Sequence, residues 1–184
     1  MLIKVAVGFV IVAGALAAFV ASRPADFRIS RSRQLAASPD VVYGFVNDLH
    51  RWTEWSPFEK ADPNLQREFS GPPAGVGASY HWTGNNQVGE GRMTITDATP
   101  GRRVTLRLEF LRPFTATNTA EFDLVPSGPG TTMTWSMSGR NGFIAKAMGL
   151  VMNMDEMVGG QFEQGLATLD TLTAGPTATA AARP

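Results

Sequence analysis

The stretch Ser38 to Phe58, SPDVVYGFVNDLHRWTEWSPF, combines a helix start, an apolar helical stripe and two tryptophans. Ser38 suits a helix N-cap, and Pro39 suits the first helical position, where its missing N–H would have had no partner in any case. Val41, Val42, Phe45, Val46 and Leu49 then recur at helical spacing while Asp40, Asn47 and Asp48 fall off that stripe, so one face is predicted to be buried. One further helical turn would bring Trp52 and Trp55 to the same side, and Pro57 stops the run. The pair has two readings: aromatics that close the end of a core, or aromatics at the mouth of a pocket. His50 falls at a helix end, where a charged imidazole suits the carbonyl groups.

On the N-terminal side, Val5 to Ala21 carries no charge; Lys4 precedes it and Ser22-Arg23-Pro24 follows. With Leu2 and Ile3 counted, a helix rising ~1.5 Å per residue nearly spans a ~30 Å hydrocarbon layer. Residues 1–23 are therefore expected to be a single-pass membrane anchor, with a cleaved signal peptide as the alternative. The best small-residue cleavage site, Val20-Ala21-Ser22, stands directly before Arg and Pro. Arg23, Arg28, Arg31 and Arg33 outnumber Lys4, which by the positive-inside rule would keep the globular part in the cytoplasm. The last three belong to a strand-like segment, so the side of the membrane is left open.

Beyond the quoted stretch, strand signals follow one another at hairpin spacing. Phe27 to Leu35 alternates in part, and Leu65 to Phe69 reads as a short strand before the break at Gly71-Pro72-Pro73. Ala78, Tyr80 and Trp82 share one face, and the turn Gly84-Asn85-Asn86 leads into a strand with Met93 and Ile95 on one face. Val104, Leu106, Leu108 and Phe110 alternate with Arg103, Thr105, Arg107 and Glu109. Ala116, Asn118, Ala120, Phe122 and Leu124 form the next inward set, with Asn118 its one polar member; Met133, Trp135 and Met137 form the last. The sheet should be antiparallel and strongly curved. From Phe143 to Leu172 the period becomes helical, predicting one long helix with Gly159-Gly160 as a place for a kink or break. The tail, residues 173–184, is small, polar and proline-bearing, and is read as disordered.

Composition narrows the function. The 184 residues fit one domain, 24–172, plus the anchor and the tail. Sixteen basic residues balance sixteen acidic ones, which argues against nucleic acid as a partner. The absence of cysteine rules out disulfides, thiol nucleophiles and cysteine metal sites. His50 and His81 are the only histidines and have no metal-ligand spacing, so neither a metal nor a cofactor is expected. No G-x-S-x-G occurs, Gly89-Glu90-Gly91 is not followed by a helix, and Gly128-Pro129-Gly130-Thr131-Thr132 lacks the P-loop lysine. Glu121 and Asp123 share an outer strand face, neighbours but not an inward acid–base pair.

Taken in order, Ser38-Pro39-Asp40-Val41-Val42-Tyr43, Asn47-Asp48 with Trp52 and Trp55-Ser56-Pro57, Gly75-Val76-Gly77-Ala78, Gly89-x-Gly91-x-Met93, Gly130-Thr131-Thr132 through Trp135, and Phe162-Glu163-x-Gly165-Leu166 make a pattern. It resembles the helix-grip fold of the START-like (SRPBCC) superfamily, and within it the polyketide cyclase/dehydrase and lipid-transport branch. The resemblance covers about residues 27 to 172. It implies an α+β domain in which a curved antiparallel sheet grips the last helix around an apolar cavity holding a lipid-like or polyketide-like molecule. The expected lining is Phe45, Trp52, Trp55, Tyr80, Trp82, Met93, Leu106, Leu108, Asn118, Phe122, Met133 and Trp135, with Met154 and Met157 on the closing helix. A soft thioether wall suits variable apolar ligands, although the same methionines could be mere core packing. The expected function is a membrane-tethered binding or carrier domain for a hydrophobic small molecule. The alternatives are a cyclase or dehydratase using Asn118, Tyr80 or His81, and a structural or partner-binding domain. Oligomeric state is left open.

Overall fold

In the computed structural model, which describes residues 2–174, seven strands form one antiparallel sheet that closes around a long C-terminal helix. The chain runs α1 (Leu2–Ser22), β1 (Asp26–Leu35), α2 (Pro39–Val46), α3 (Trp52–Trp55), β2 (Gln66–Ser70), β3 (Ser79–Thr83), β4 (Glu90–Thr99), β5 (Arg103–Arg112), β6 (Ala116–Ser127), β7 (Gly130–Arg140), α4 (Phe143–Met148) and α5 (Met154–Thr173). The spatial order is β1-β7-β6-β5-β4-β3-β2. Strands β2 to β7 therefore meander, and β1 returns to cover the edge of β7. Register shifts at Glu90/Gly91 and Ile95/Asp97 sharpen the curl of β4. The α+β helix-grip architecture is thus the one expected.

Helix α2 starts as read, with Pro39 in its first turn, but Ser38 makes no side-chain capping bond. The helix also stops at Val46, so Leu49 reaches the core from a separate 3-10 turn, Leu49–Arg51, and Val41 is 48% exposed instead of buried. The carbonyls left open by this early stop are taken up by the two tryptophans. The Trp52 indole N–H donates to Val46 O at 3.0 Å and that of Trp55 to Phe45 O at 3.3 Å. His50 does not serve a helix end: it pairs with Asp48 at 3.1 Å and stacks on Phe69 at 4.1 Å.

The single long helix predicted over 143–172 is two helices. Gly149 caps α4, residues 149–153 turn the chain, and the Asn153 side chain accepts the Glu156 N–H at 3.3 Å to start α5. The glycines at 159 and 160 break nothing; α5 runs through both. Its inward stripe is Val158, Phe162, Gly165, Leu166 and Leu169, while Met154 and Met157 point outward, Met157 being 49% exposed. Their expected place on the inner wall is therefore corrected. Helix α5 ends at Thr173, and the rest of the predicted tail, 175–184, lies outside the described residues.

Helix α1 stands apart from the sheet with its side chains exposed over most of its length. From Lys4 to Ser22 it is long and apolar enough to cross a membrane by length and composition. Its last turn touches α4: Val20 is buried and Lys146 Nζ donates to Ala21 O at 3.1 Å.

Candidate functional site

The strand registers arrange the inner face of the sheet in rows. One row runs Val104, Phe122, Trp135 and Arg31 across β5, β6, β7 and β1. The next is Ile95, Leu106, Ala120, Met137 and Ile29, and the one beyond it Tyr80, Met93, Leu108, Asn118, Gly139 and Phe27. Trp82, Gly91, Phe110 and Ala116 end the series. Because β-strand side chains alternate, every residue in these rows faces α5 or the space beside it.

The first rows are filled. Trp135 stacks on Phe162 of α5 at 4.2 Å and 11°, lies 5.1 Å from Phe122 and 5.4 Å from Trp55, and Trp52 sits 5.1 Å from Trp55. Phe45, Trp52, Trp55, Leu106, Phe122, Met133 and Trp135 are all buried in this cluster. Seven of the expected lining residues thus occupy the space that a deep cavity would need. Of the two readings of the tryptophan pair, closure of the core is the one their packing matches.

At the other end of the strands the face opens. Met93 and Leu108 are half-buried, as are Phe27, Phe110, Met137 and Val158 around them. Tyr80 and Trp82 form the buried side wall, and Asn118 is 7% exposed. Among the described residues the Asn118 amide has only a weak partner, Met137 Sδ at 3.8 Å, and its carbonyl oxygen lies where a Cβ on Gly139 would be. Phe27, Phe110 and Met137 lie in alternating stretches that point inward, yet the sequence gives no sign that they bound an open space. That depends on where Trp135 and Phe162 end.

A buried polar network braces this wall. Glu59, 9% exposed, accepts the Tyr80 hydroxyl at 2.7 Å and the Arg67 Nε–H at 2.6 Å. Burial, and then the Glu59 carboxylate, push the Tyr80 phenol well above its ordinary range, so it stays a protonated donor. Glu59 lies in a stretch without periodicity, and no sequence signal marks it. His81 sits on the opposite face, 3.2 Å from Glu90. Glu121 and Asp123 are on that outer face too, paired with Arg28 at 3.2 Å and Arg103 at 2.6 Å. Among the described residues no cluster of side chains suited to a metal ion occurs. Of the three groups considered for catalysis, then, His81 faces away, Tyr80 stands in the side wall with its hydroxyl on Glu59, and Asn118 faces the open end.

Comparison with known proteins fits this geometry. The family model for polyketide cyclase / dehydrase and lipid transport matches residues 26–173. No curated protein matches the chain. Among solved structures, protein CV1439 from Chromobacterium violaceum is similar at TM-score 0.58 and 17% identity, covering 79% of this chain and 96% of that one. CalU16 from Micromonospora echinospora is similar at TM-score 0.52 and 15% identity over 86% of this chain and 90% of that one. The Aha1 dimer from Colwellia psychrerythraea is similar at 0.53 and 17%, over 80% and 94%. At these identities the likeness is one of fold.

Proposed function

Because the chain belongs to the polyketide cyclase/dehydrase and lipid-transport family, we propose that its domain, residues 24–172, binds or carries a hydrophobic small molecule of lipid-like or polyketide-like chemistry and is held at a membrane by α1. The observation that carries this reading is the division of the inner face into an aromatic floor and a half-open apolar end with one amide in it. An apolar molecule laid against Met93, Leu108, Phe110, Met137 and Phe27 would cover surface now half exposed, worth roughly 25 cal/mol per Å². Asn118 would orient its polar end. Trp82, Met93, Leu108 and Asn118 are thus the ligand contacts among the residues first expected, and the Trp52–Trp55–Phe122–Trp135 group is the floor beneath them.

Binding is favoured over turnover by the chemistry of the groups in reach. An amide neither ionises nor takes up a proton at ordinary pH and so is no general acid or base, the Tyr80 hydroxyl is held by Glu59, and His81 faces away. Native mass spectrometry of the full-length protein released from detergent tests the reading. The expected result is a noncovalent apolar adduct that Leu108→Trp removes by filling the groove. No adduct, together with no uptake of a pyrene-labelled fatty acid, would sink it.

A further inference from the structure

The exposed apolar residues of this chain are concentrated where α1 meets the domain. Phe143 and Ile144 on α4, and Leu150, Val151 and Met152 in the turn to α5, are all exposed, Val151 at 84%. Apolar side chains gathered on one corner of a domain mark a contact surface. The question is what covers them, and α1 answers it. Its 21 residues give about 31 Å of helix, close to the ~30 Å of a hydrocarbon layer, so a spanning α1 uses its whole length and leaves the layer near Ser22. Val20, two residues before that point, is buried, and Ala21 O accepts the Lys146 ammonium. The corner is therefore fixed at the depth of the hydrocarbon boundary.

Charge agrees with that depth. Between the end of α1 and the corner lies a cleft of about 490 Å³ bordered by Arg23 and Lys146, both cations, with Leu150 to Met154 on its other side. Long basic side chains reach for lipid phosphates from such positions. The acidic groups at this end are Asp155, held by Arg31 at 2.8 Å, Asp26, held by Arg140 at 3.2 Å, and Glu156. The groove opens on the same side: β1 and β7 end here, where Asn141 N donates to Ala25 O at 2.7 Å, two residues past the Phe27–Gly139 pair of the open row.

We propose that the α4–α5 corner, Phe143–Met154, inserts its apolar side chains into the surface of the bilayer that α1 crosses, with Arg23 and Lys146 against anionic headgroups, so that the groove opens onto the membrane. This rests on α1 being an anchor. Ligand exchange then runs between groove and bilayer without a passage through water, which suits a molecule too apolar to dissolve.

The chain has no cysteine, so one introduced thiol can be labelled alone. The full chain would be reconstituted in vesicles of phosphatidylcholine with or without phosphatidylglycerol, carrying an NBD label at Val151→Cys or, at the far end of the sheet, at Val125→Cys. Both sites are exposed, so the change removes no core packing. The label at 151 is expected to shift to the blue and to be quenched several-fold by doxyl lipids, and the label at 125 to do neither. Arg23→Gln with Lys146→Gln should remove the part of this response that depends on phosphatidylglycerol. A chain that fails to float with the vesicles overturns the anchor reading and the proposal together. A chain that floats with an unquenched label at 151 overturns the proposal alone. A blue-shifted label that lipid quenchers do not reach, and that responds to protein density in the vesicle, assigns the corner to a second copy of the chain and also overturns it.

Discussion

The guanidinium of Arg31 lies against Gly159 of α5 so closely that a Cβ added there would have no room beside it. Arg31 sits on the inner face of β1, donates to Asp155 and to Glu163 at 2.8 Å each, and so holds the helix by one turn on either side of the glycine. Six residues further on, Gly165 plays the same part against aromatic rings: its Cβ would come 2.8 Å from Trp135 and 3.1 Å from Pro57. Glycine in α5 therefore serves close approach to the sheet. A helix interior ordinarily disfavours it by about 1 kcal/mol relative to alanine.

Alanine at these positions should separate the two effects. Among the described residues nothing lies within 4 Å of the Cβ position of Gly160, so Gly160→Ala is expected to stabilise the protein by about 1 kcal/mol. Gly165→Ala gains the same helix preference but crowds Trp135, and overpacking of this kind costs about 1–3 kcal/mol, so it should destabilise or at best break even. Denaturant midpoints of the two variants measure this. Equal stabilisation by both would mean that α5 does not press on the indole.

Trp135→Ala should cost about 3–5 kcal/mol, the usual range for a large aromatic packed on all sides, because Phe122, Trp55 and Phe162 surround it. A thermal or denaturant melt reads this directly. A loss well under that range would show that the indole borders space already open to a ligand, and the floor would have to be redrawn.

Asn118→Leu tests the open half. The amide has only a sulfur partner, so its replacement should change stability by less than about 1 kcal/mol while weakening binding of a pyrene-labelled fatty acid by about 1 kcal/mol through loss of the polar contact. A destabilised protein with unaltered probe affinity would make Asn118 a structural residue and remove it from the groove's ligand contacts.

The Tyr80 phenol gives a pH dependence. Its pKa is raised above the ordinary 10 by burial and by Glu59, so folding favours the protonated form. The stability this contributes is complete below pH 10 and declines as pH climbs beyond it, because the unfolded chain then loses a proton that the folded chain keeps. Tyr80→Phe should flatten the decline above pH 10, and should cost about 1–3 kcal/mol at neutral pH by leaving Glu59 one donor short. Identical pH profiles for the two proteins would mean that the hydroxyl is not held.

The sequence by itself determined the strands, the sheet's direction, the Val42–Phe45–Val46 face of α2 and the apolar α1. Each of these rests on a local period or a local run: alternation at Val104–Phe110 or Met133–Met137 dictates which side chains share a face wherever the strand is placed. Asn118 and Leu108 were legible as inward for the same reason. Only the tertiary structure decided which inward residues are floor and which border open space, since that follows from the register that brings Trp135 beside Phe122 and from the turn of α5 that lays Phe162 over it. It also decided the break after Met148. Apolar residues from Phe143 to Met157 continue a helical period on paper, because the side chains that face the membrane in the proposed arrangement and the side chains that face the core are drawn from the same apolar set. Periodicity reports that a residue avoids water; it does not report whether protein or lipid receives it.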